Sequence, residues 1–481
     1  MFAVPPAPPA PPTAKQRVLS TLNVDGSRRW LRPKLSTGAF WRRRRVVAYG
    51  LMLVFFLIPY IRMNGRPLVL LDIPRREFTI FGYTFLPTDT LLFMLLLMSI
   101  AIAIFLLTAL VGRAWCGWAC PQTVYMEFLF RPIERLFEGG ASGSARMDKA
   151  GTFHARRLAK HAVYLVLALF LAHTFLAYFV GIDQLVHWVQ RSPVEHPTSF
   201  LIMAGTTAAI FLDFAWFREQ TCIVACPYGR LQSVLLDRQS LIVGYDPRRG
   251  EPRSLKVKGR AADAGDCIDC GACVQTCPTG IDIRDGLQME CIHCTQCADA
   301  CDAIMDRVGK PRGLIRYSSR DALEGRGVHL LRPRVILYPL ALALALGLLG
   351  FNLGTKAVAD VTLLRGIGAP FTREPGGRVV NQVRVRIANR GHADREYRLE
   401  LVDAGGVTLV APQNPLPVAA GKMEQTSIFV MVPPGEFDDG ELEVTFRVSD
   451  GKGFVEELPY ELVGPEESEH EAGPGSPGRD S

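Results

Sequence analysis

The chain has 481 residues, a formal net charge of +7, 48% hydrophobic and 21% charged residues. That length allows several domains. High apolar content beside a normal charge load points to membrane segments joined by charged loops. The basic residues are grouped and no aromatic-interleaved recognition motif accompanies them, which argues against a nucleic-acid partner.

Residues 1–45 form a basic N-terminal segment. It opens Pro/Ala-rich, and no apolar run follows until after Arg45, so no signal peptide is expected. Arg28-Arg29 lacks the apolar segment that follows a twin-arginine export signal. Apolar stretches then occur at 46–61, 89–111, 161–181, 199–217 and 335–351. A spanning helix needs roughly 20 residues, so the first and last are short. Their basic flanks, Trp41 to Arg45 and Arg332-Pro333-Arg334, favour spanning, which gives about five spans.

Lys and Arg are unequally shared among the loops. Ten precede the first span and eight lie in 112–160, against four in 62–88 (Arg62, Arg66, Arg75, Arg76) and Arg191 alone in 182–198. The positive-inside rule therefore places the N-terminus, the 112–160 loop and residues 218–334 in the cytoplasm of an inner-membrane, multi-pass protein, and the C-terminal part in the periplasm.

The transmembrane region 46–217 reads as two hairpins, each finished by a C-x3-C-P motif: Cys116 and Cys120 before Pro121, Cys222 and Cys226 before Pro227. Both cysteine offsets are 106 residues, which suggests an internal duplication. If each pair lies on a helix, i and i+4 share a face. Soft thiolates so placed select Cu(I) or an iron–sulfur centre, although free cysteine also packs as a small apolar residue. Near these helices, His173 is expected to pack or handle protons, with His161 and His187 beside the third span. Spacings of 12 and 14 invite a bis-His haem, but the fourth span supplies no partner. Asp213 is expected to snorkel or pair with Arg218. Met94, Met98 and Met203 have copper-binding sulfurs but suit packing as well. Trp115 and Trp118 suit an interfacial belt.

Residues 218–334 hold the other eight cysteines in two runs of C-x2-C-x2-C-x3-C. This spacing gives three thiolates to one [4Fe–4S] cube and the fourth to its neighbour. Cys267, Cys270, Cys273 and Cys301 are therefore the expected ligands of one cluster, and Cys291, Cys294, Cys297 and Cys277 of the other. Disulfide and zinc scaffolds explain the repeated three-cysteine runs poorly. His293, inside the second run, is expected to tune its cluster, because the cysteine set is already complete.

The stretch 335–351 is the expected fifth transmembrane helix. Residues 352–463 then alternate with period two, as in Val383, Val385 and Ile387 against Arg384 and Arg386, which predicts an antiparallel sandwich. From 464 to 481, Pro, Glu, Gly and Ser predict a disordered tail. The fold class is thus a multidomain membrane protein: an α-helical transmembrane bundle carrying an inserted α+β ferredoxin-like domain and a C-terminal all-β sandwich.

With these motifs in this order, the chain resembles the CcoG/FixG cytochrome c oxidase accessory proteins from about residue 40 to 463. Trp115–Pro121, Cys222–Pro227 and the run through Cys301 carry the resemblance most specifically. It implies a membrane ferredoxin that reduces Cu(II) to Cu(I) during maturation of a cbb3-type oxidase, with an immunoglobulin-like C-terminal domain. It also implies two [4Fe–4S] clusters, copper as substrate ion handled at Cys116, Cys120, Cys222 and Cys226, a cytoplasmic electron donor, and a partner that is the oxidase or its copper chaperones. Asp302, where bacterial ferredoxins have Pro, departs from the pattern. Two other readings stay open: a quinol-oxidising subunit for a periplasmic reductase, and a non-catalytic assembly scaffold.

Overall fold

In the computed structural model, the described residues are 19–23, 25–63, 66–74, 77–81, 83–85, 89–150, 154–254, 264–327, 331–355, 357–391, 393–402 and 405–465. Arg75 and Arg76, the first 18 residues of the basic segment, and the tail from 466 lie outside them. The chain divides into two compact units, 1–350 and 351–481.

The first unit opens with an extended segment packed onto the body. Thr276 Oγ1 donates to the Lys34 carbonyl at 2.8 Å, and Thr21 Oγ1 donates to Gln220 at 3.1 Å. Helix α1 (Ala39–Leu57) follows. Gly38, just before it, offers no cap, and the Asp299 carboxylate accepts instead from the N–H groups of Phe40 (3.1 Å) and Trp41 (2.7 Å). A carboxylate at a helix N-terminus satisfies orphan donors and opposes the helix dipole.

Among the described residues, four helices are long and apolar enough to cross a membrane: 90–111, 155–180, 197–217 and 333–354. Only 11–39% of their apolar windows is buried in protein, leaving the uncovered apolar surface that lipid-facing helices present. The expected stretch 46–61 is not among the four. It falls on α1 and the 3-10 turn Ile58–Tyr60, and Arg42 to Arg45 belong to the helix itself.

Helix α2 (Thr90–Val111) leads into two short helices, α3 (Ala114–Trp118) and α4 (Pro121–Tyr125). A π-turn at Met126–Phe130 and then α5 (Arg131–Glu138) and α6 (Gly140–Ala150) continue the chain. Helix α7 (Ala155–Val180) starts earlier than its apolar stretch, and within that added length Lys160 is buried against Glu138 at 2.7 Å. Helix α8 (Ile182–Val189) turns the chain into α9 (Pro197–Leu212). Two π-turns, Asp213–Phe217 and Thr221–Ala225, precede α10 (Pro227–Leu235).

The ferredoxin-like part is tied by an antiparallel pair, β1 (Ile242–Tyr245) with β2 (Ile315–Ser318), whose register joins Val243 to Tyr317. Between them lie α11 (Ala272–Thr276) and α12 (Gln296–Arg307), each opening inside a cysteine run. Helix α13 (Pro333–Gly354) then closes the unit.

The second unit is two antiparallel sheets. The first joins, in order, Thr408–Val410, Met423–Val432, Val379–Asn389 and Ala359–Arg365; the second joins Leu416–Val418, Arg395–Val402, Glu441–Ser449 and Val455–Val463. Val383, Val385 and Ile387 are fully buried against Ile428, Phe446 and Leu462. The intervening Arg384 and Arg386 stay outside the core, as period-two strands require.

Candidate functional site

The two cysteine runs share one backbone device. In the first, Asp269 and Gly271 take positive φ (49° and 64°) on either side of Cys270; in the second, His293 and Thr295 do so (54° and 59°) on either side of Cys294. Three of these residues carry side chains, for which that region is costly. Successive left-handed turns aim backbone N–H groups into an anion-binding concavity.

None of the twelve cysteines is in a disulfide. One cavity is lined by Cys267, Cys270, Cys273 and Cys301. A second is lined by Cys277, Cys291, Cys294 and Cys297, with Cys273 also in its lining. Burial pushes Cys273, Cys291 and Cys301 up to about 12 and Cys297 well above the usual thiol range. So buried, they stay protonated until a metal centre takes the place of their protons.

An orphaned cation tests the fit. Arg44 is fully buried and donates from Nε to the Gly117 carbonyl at 2.8 Å, while Nη1 and Nη2 have no hydrogen-bond partner. Burial lowers its pKa and nearby Cys294 opposes that. A four-thiolate cluster at Cys294 is anionic and suits this guanidinium. His293 is also fully buried, and burial followed by Arg113 holds its imidazole down at about 3, so it is neutral. Its Nδ1 accepts from the Arg113 N–H at 3.2 Å, leaving the proton on Nε2, which has no partner in the protein.

The C-x3-C-P motifs do not form single helical faces. Cys116 lies in α3, but Cys120 has extended backbone (φ −59°, ψ 126°) as the cap of α4. Cys222 lies in a π-turn, and Cys226 (φ −75°, ψ 107°) caps α10. The proline enforces the break: it favours extended backbone before it and starts the next helix at N1. The duplicated sequence thus gives a duplicated turn, and the two turns interlock. Cys116 Sγ donates to Gln232 Oε1 on α10 at 3.2 Å, and Gln122 Nε2 on α4 donates to the Arg218 carbonyl at 3.0 Å. Burial raises Cys116 and Cys120 and pushes Cys222 up to about 12; Cys116, Cys120 and Cys226 raise Cys222 further. All four sulfurs therefore share one neighbourhood.

This neighbourhood abuts the second cysteine run. Cys116, Ile292 and Cys294 form one buried cluster. A Cβ on Gly117 would stand 2.6 Å from the Ile292 carbonyl oxygen and 2.9 Å from the Cys294 backbone, so only glycine permits the approach. Trp118 Nε1 donates to Tyr317 at 2.8 Å, and Tyr317 donates to the His293 carbonyl at 2.8 Å. Trp118 is thus a strut to the ferredoxin part, whereas Trp115 is 41% exposed.

A buried charge network lies beside it. Arg218 pairs with Glu134 at 2.9 Å, and Glu219 lies within 3.6–3.7 Å of Arg218, Arg131 and Arg28. Gln296, beside Cys297, donates to Glu127 at 3.0 Å. Asp213 does not pair with the Arg218 side chain; it accepts from the Thr221 hydroxyl. Arg44, Gln232 and Glu134 had no motif to mark them.

Family models match three stretches: a 4Fe-4S binding domain over 93–138, a 4Fe-4S dicluster domain over 217–320, and the IG-like fold at the C-terminal of FixG over 349–465. The chain is 32% identical to the nitrogen fixation protein FixG of Rhizobium meliloti over 467 residues, covering 86% of this chain and 88% of that one. It is 33% identical to protein RdxA of Cereibacter sphaeroides over 432 residues, covering 84% and 89%.

Proposed function

The chain belongs to the FixG family of 4Fe–4S electron-transfer proteins, and from that membership we propose that it reduces Cu(II) to Cu(I) for the maturation of a cbb3-type oxidase. Cys267, Cys270, Cys273 and Cys301 would hold one cluster, and Cys277, Cys291, Cys294 and Cys297 the other. Bound there, the clusters supply low-potential one-electron storage. Cys116, Cys120, Cys222 and Cys226 are the copper-handling thiols. The reaction consumes one electron from a cytoplasmic donor for each Cu(II) converted.

The observation that carries this reading is the packing of Cys116 against Cys294. It sets a soft-sulfur pocket against the loop assigned to the second cluster. Copper binding would take the place of the protons on these thiols. Arg44 would offset the charge of the second set, and Gln232 orients the Cys116 thiol.

By the positive-inside count, the cysteine-bearing face and the N-terminus belong in the cytoplasm, with 46–61 as a further span after the arginine run and the C-terminal domain in the periplasm. That immunoglobulin-like domain offers strand edges to the oxidase or its copper chaperones.

The test uses full-length protein with intact clusters, reduced anaerobically, freed of reductant, and given Cu(II) with a Cu(I)-trapping chelator. The expected result is stoichiometric Cu(I), lost when all four C-x3-C-P cysteines become serine. Cluster reduction by quinol with no copper turnover would overturn it.

A further inference from the structure

The cysteines occupy one end of the membrane helices. Helix α9 runs away from them for 16 residues, about 24 Å at 1.5 Å per residue. At its far end, α7, α8, α9 and the loop before α9 line a separate, half-open cavity of about 180 Å³. Its lining includes His173, Leu176, Trp188, His196 and Met203.

His173 Nδ1 lies 2.8 Å from the Leu169 carbonyl oxygen. A carbonyl only accepts, so Nδ1 carries the proton and Nε2 keeps its lone pair. A backbone carbonyl fixes metal-binding histidines in the same way. His196 Nε2 is buried with no hydrogen-bond partner, and the Trp188 ring lies 5.2 Å from the imidazole, centroid to centroid. Met203 follows His196 by seven residues, two helical turns along the same face. Its sulfur now accepts from the Thr207 hydroxyl at 3.5 Å and would leave that contact to meet an ion shared with His196, about 10 Å away along the helix axis.

None of the described residues lining the cavity is a carboxylate. Hard cations want oxygen ligands, whereas imidazole and thioether donors suit copper, and the thioether favours its monovalent state. Arg191, also in the lining, is held by Glu195 at 3.5 Å.

We propose that His173, His196 and Met203 form a Cu(I)-binding site at the end of the membrane helices away from the cysteines. The choice of copper rests partly on the functional reading above; the site itself rests on the donor set. The site binds the ion and carries out no electron transfer.

The test titrates Cu(I) against a competing chelator into detergent-solubilised full-length protein in the C116S/C120S/C222S/C226S background. Copper bound there is independent of the C-x3-C-P thiols, so this proposal and the reductase reading can fail separately. One Cu(I) per chain is expected, with affinity lowered at least about 10-fold by Met203→Leu and at least about 100-fold by His196→Phe, beyond the effect of losing an outer partner. X-ray absorption on the bound ion should show nitrogen and sulfur ligands. Cluster absorbance and elution volume report that each variant folds. Unchanged affinity in folded variants, or equal affinity for Zn(II), would overturn the proposal.

Discussion

Arg44 donates from its guanidinium to the backbone carbonyl of Gly117 at 2.8 Å, deep inside the protein, within reach of Cys294. One residue from the arginine run at the start of α1 thus joins the C-x3-C-P turn to the second cysteine run. A buried cation at this point favours whichever oxidation state is more negative.

Replacing Arg44 with glutamine should therefore lower the reduction potential of the second cluster and leave the first nearly unchanged. At an effective dielectric of about 20, a unit charge roughly 10 Å away is worth on the order of 1–2 kcal/mol, or roughly 40–90 mV for one electron. Redox titration followed by EPR measures it. Arg44→Lys keeps the charge and should recover most of the shift.

Gly117→Ala places a methyl group where the Ile292 carbonyl and the Cys294 backbone already stand, at 2.6 and 2.9 Å. Both obstacles are backbone, so the motif must move. Copper reduction should fall at least about 10-fold, or roughly 1.4 kcal/mol of barrier, while iron and sulfide content per chain stay constant.

Glu134 gives a pH signature. Burial raises its carboxyl, but Arg218 and Arg32 outweigh burial and hold it down at about 2. A depressed carboxyl stabilises the fold above its unfolded pKa, near 4.5, and that stability is lost as pH falls from there toward 2. Glu134→Gln leaves the buried Arg218 and the partly buried Arg32 underpaired and should cost about 3–5 kcal/mol at neutral pH. Thermal unfolding across that acid range should show a steeper loss for the wild-type protein than for the variant.

The sequence carried the parts whose signal is local. The cysteine spacing, the period-two strands around Val383 and the long apolar helices depend only on neighbours in the chain. Arg44 was not legible for the opposite reason: four consecutive arginines before an apolar stretch read as a membrane flank, and only tertiary packing selects the one whose side chain turns inward. The same holds for Asp299, which lies between two ligand candidates and caps a helix 259 residues away. The i, i+4 pairing of Cys116 and Cys120 misled because Pro121 ends the helix between them. His196 had no periodic partner in the sequence and gains significance only where α7, α8 and α9 line the cavity with it.

The central claim is that the C-x3-C-P thiols pass the clusters' electrons to copper. Anaerobic stopped-flow mixing of cluster-reduced protein with Cu(II) measures it directly, with cluster absorbance and Cu(I) followed together. The account predicts one Cu(I) formed for each cluster electron lost, slowed at least about 100-fold, or roughly 2.7 kcal/mol, when Cys116, Cys120, Cys222 and Cys226 are serine. Equal rates in the wild-type and quadruple-serine proteins, with clusters intact in both, would contradict it.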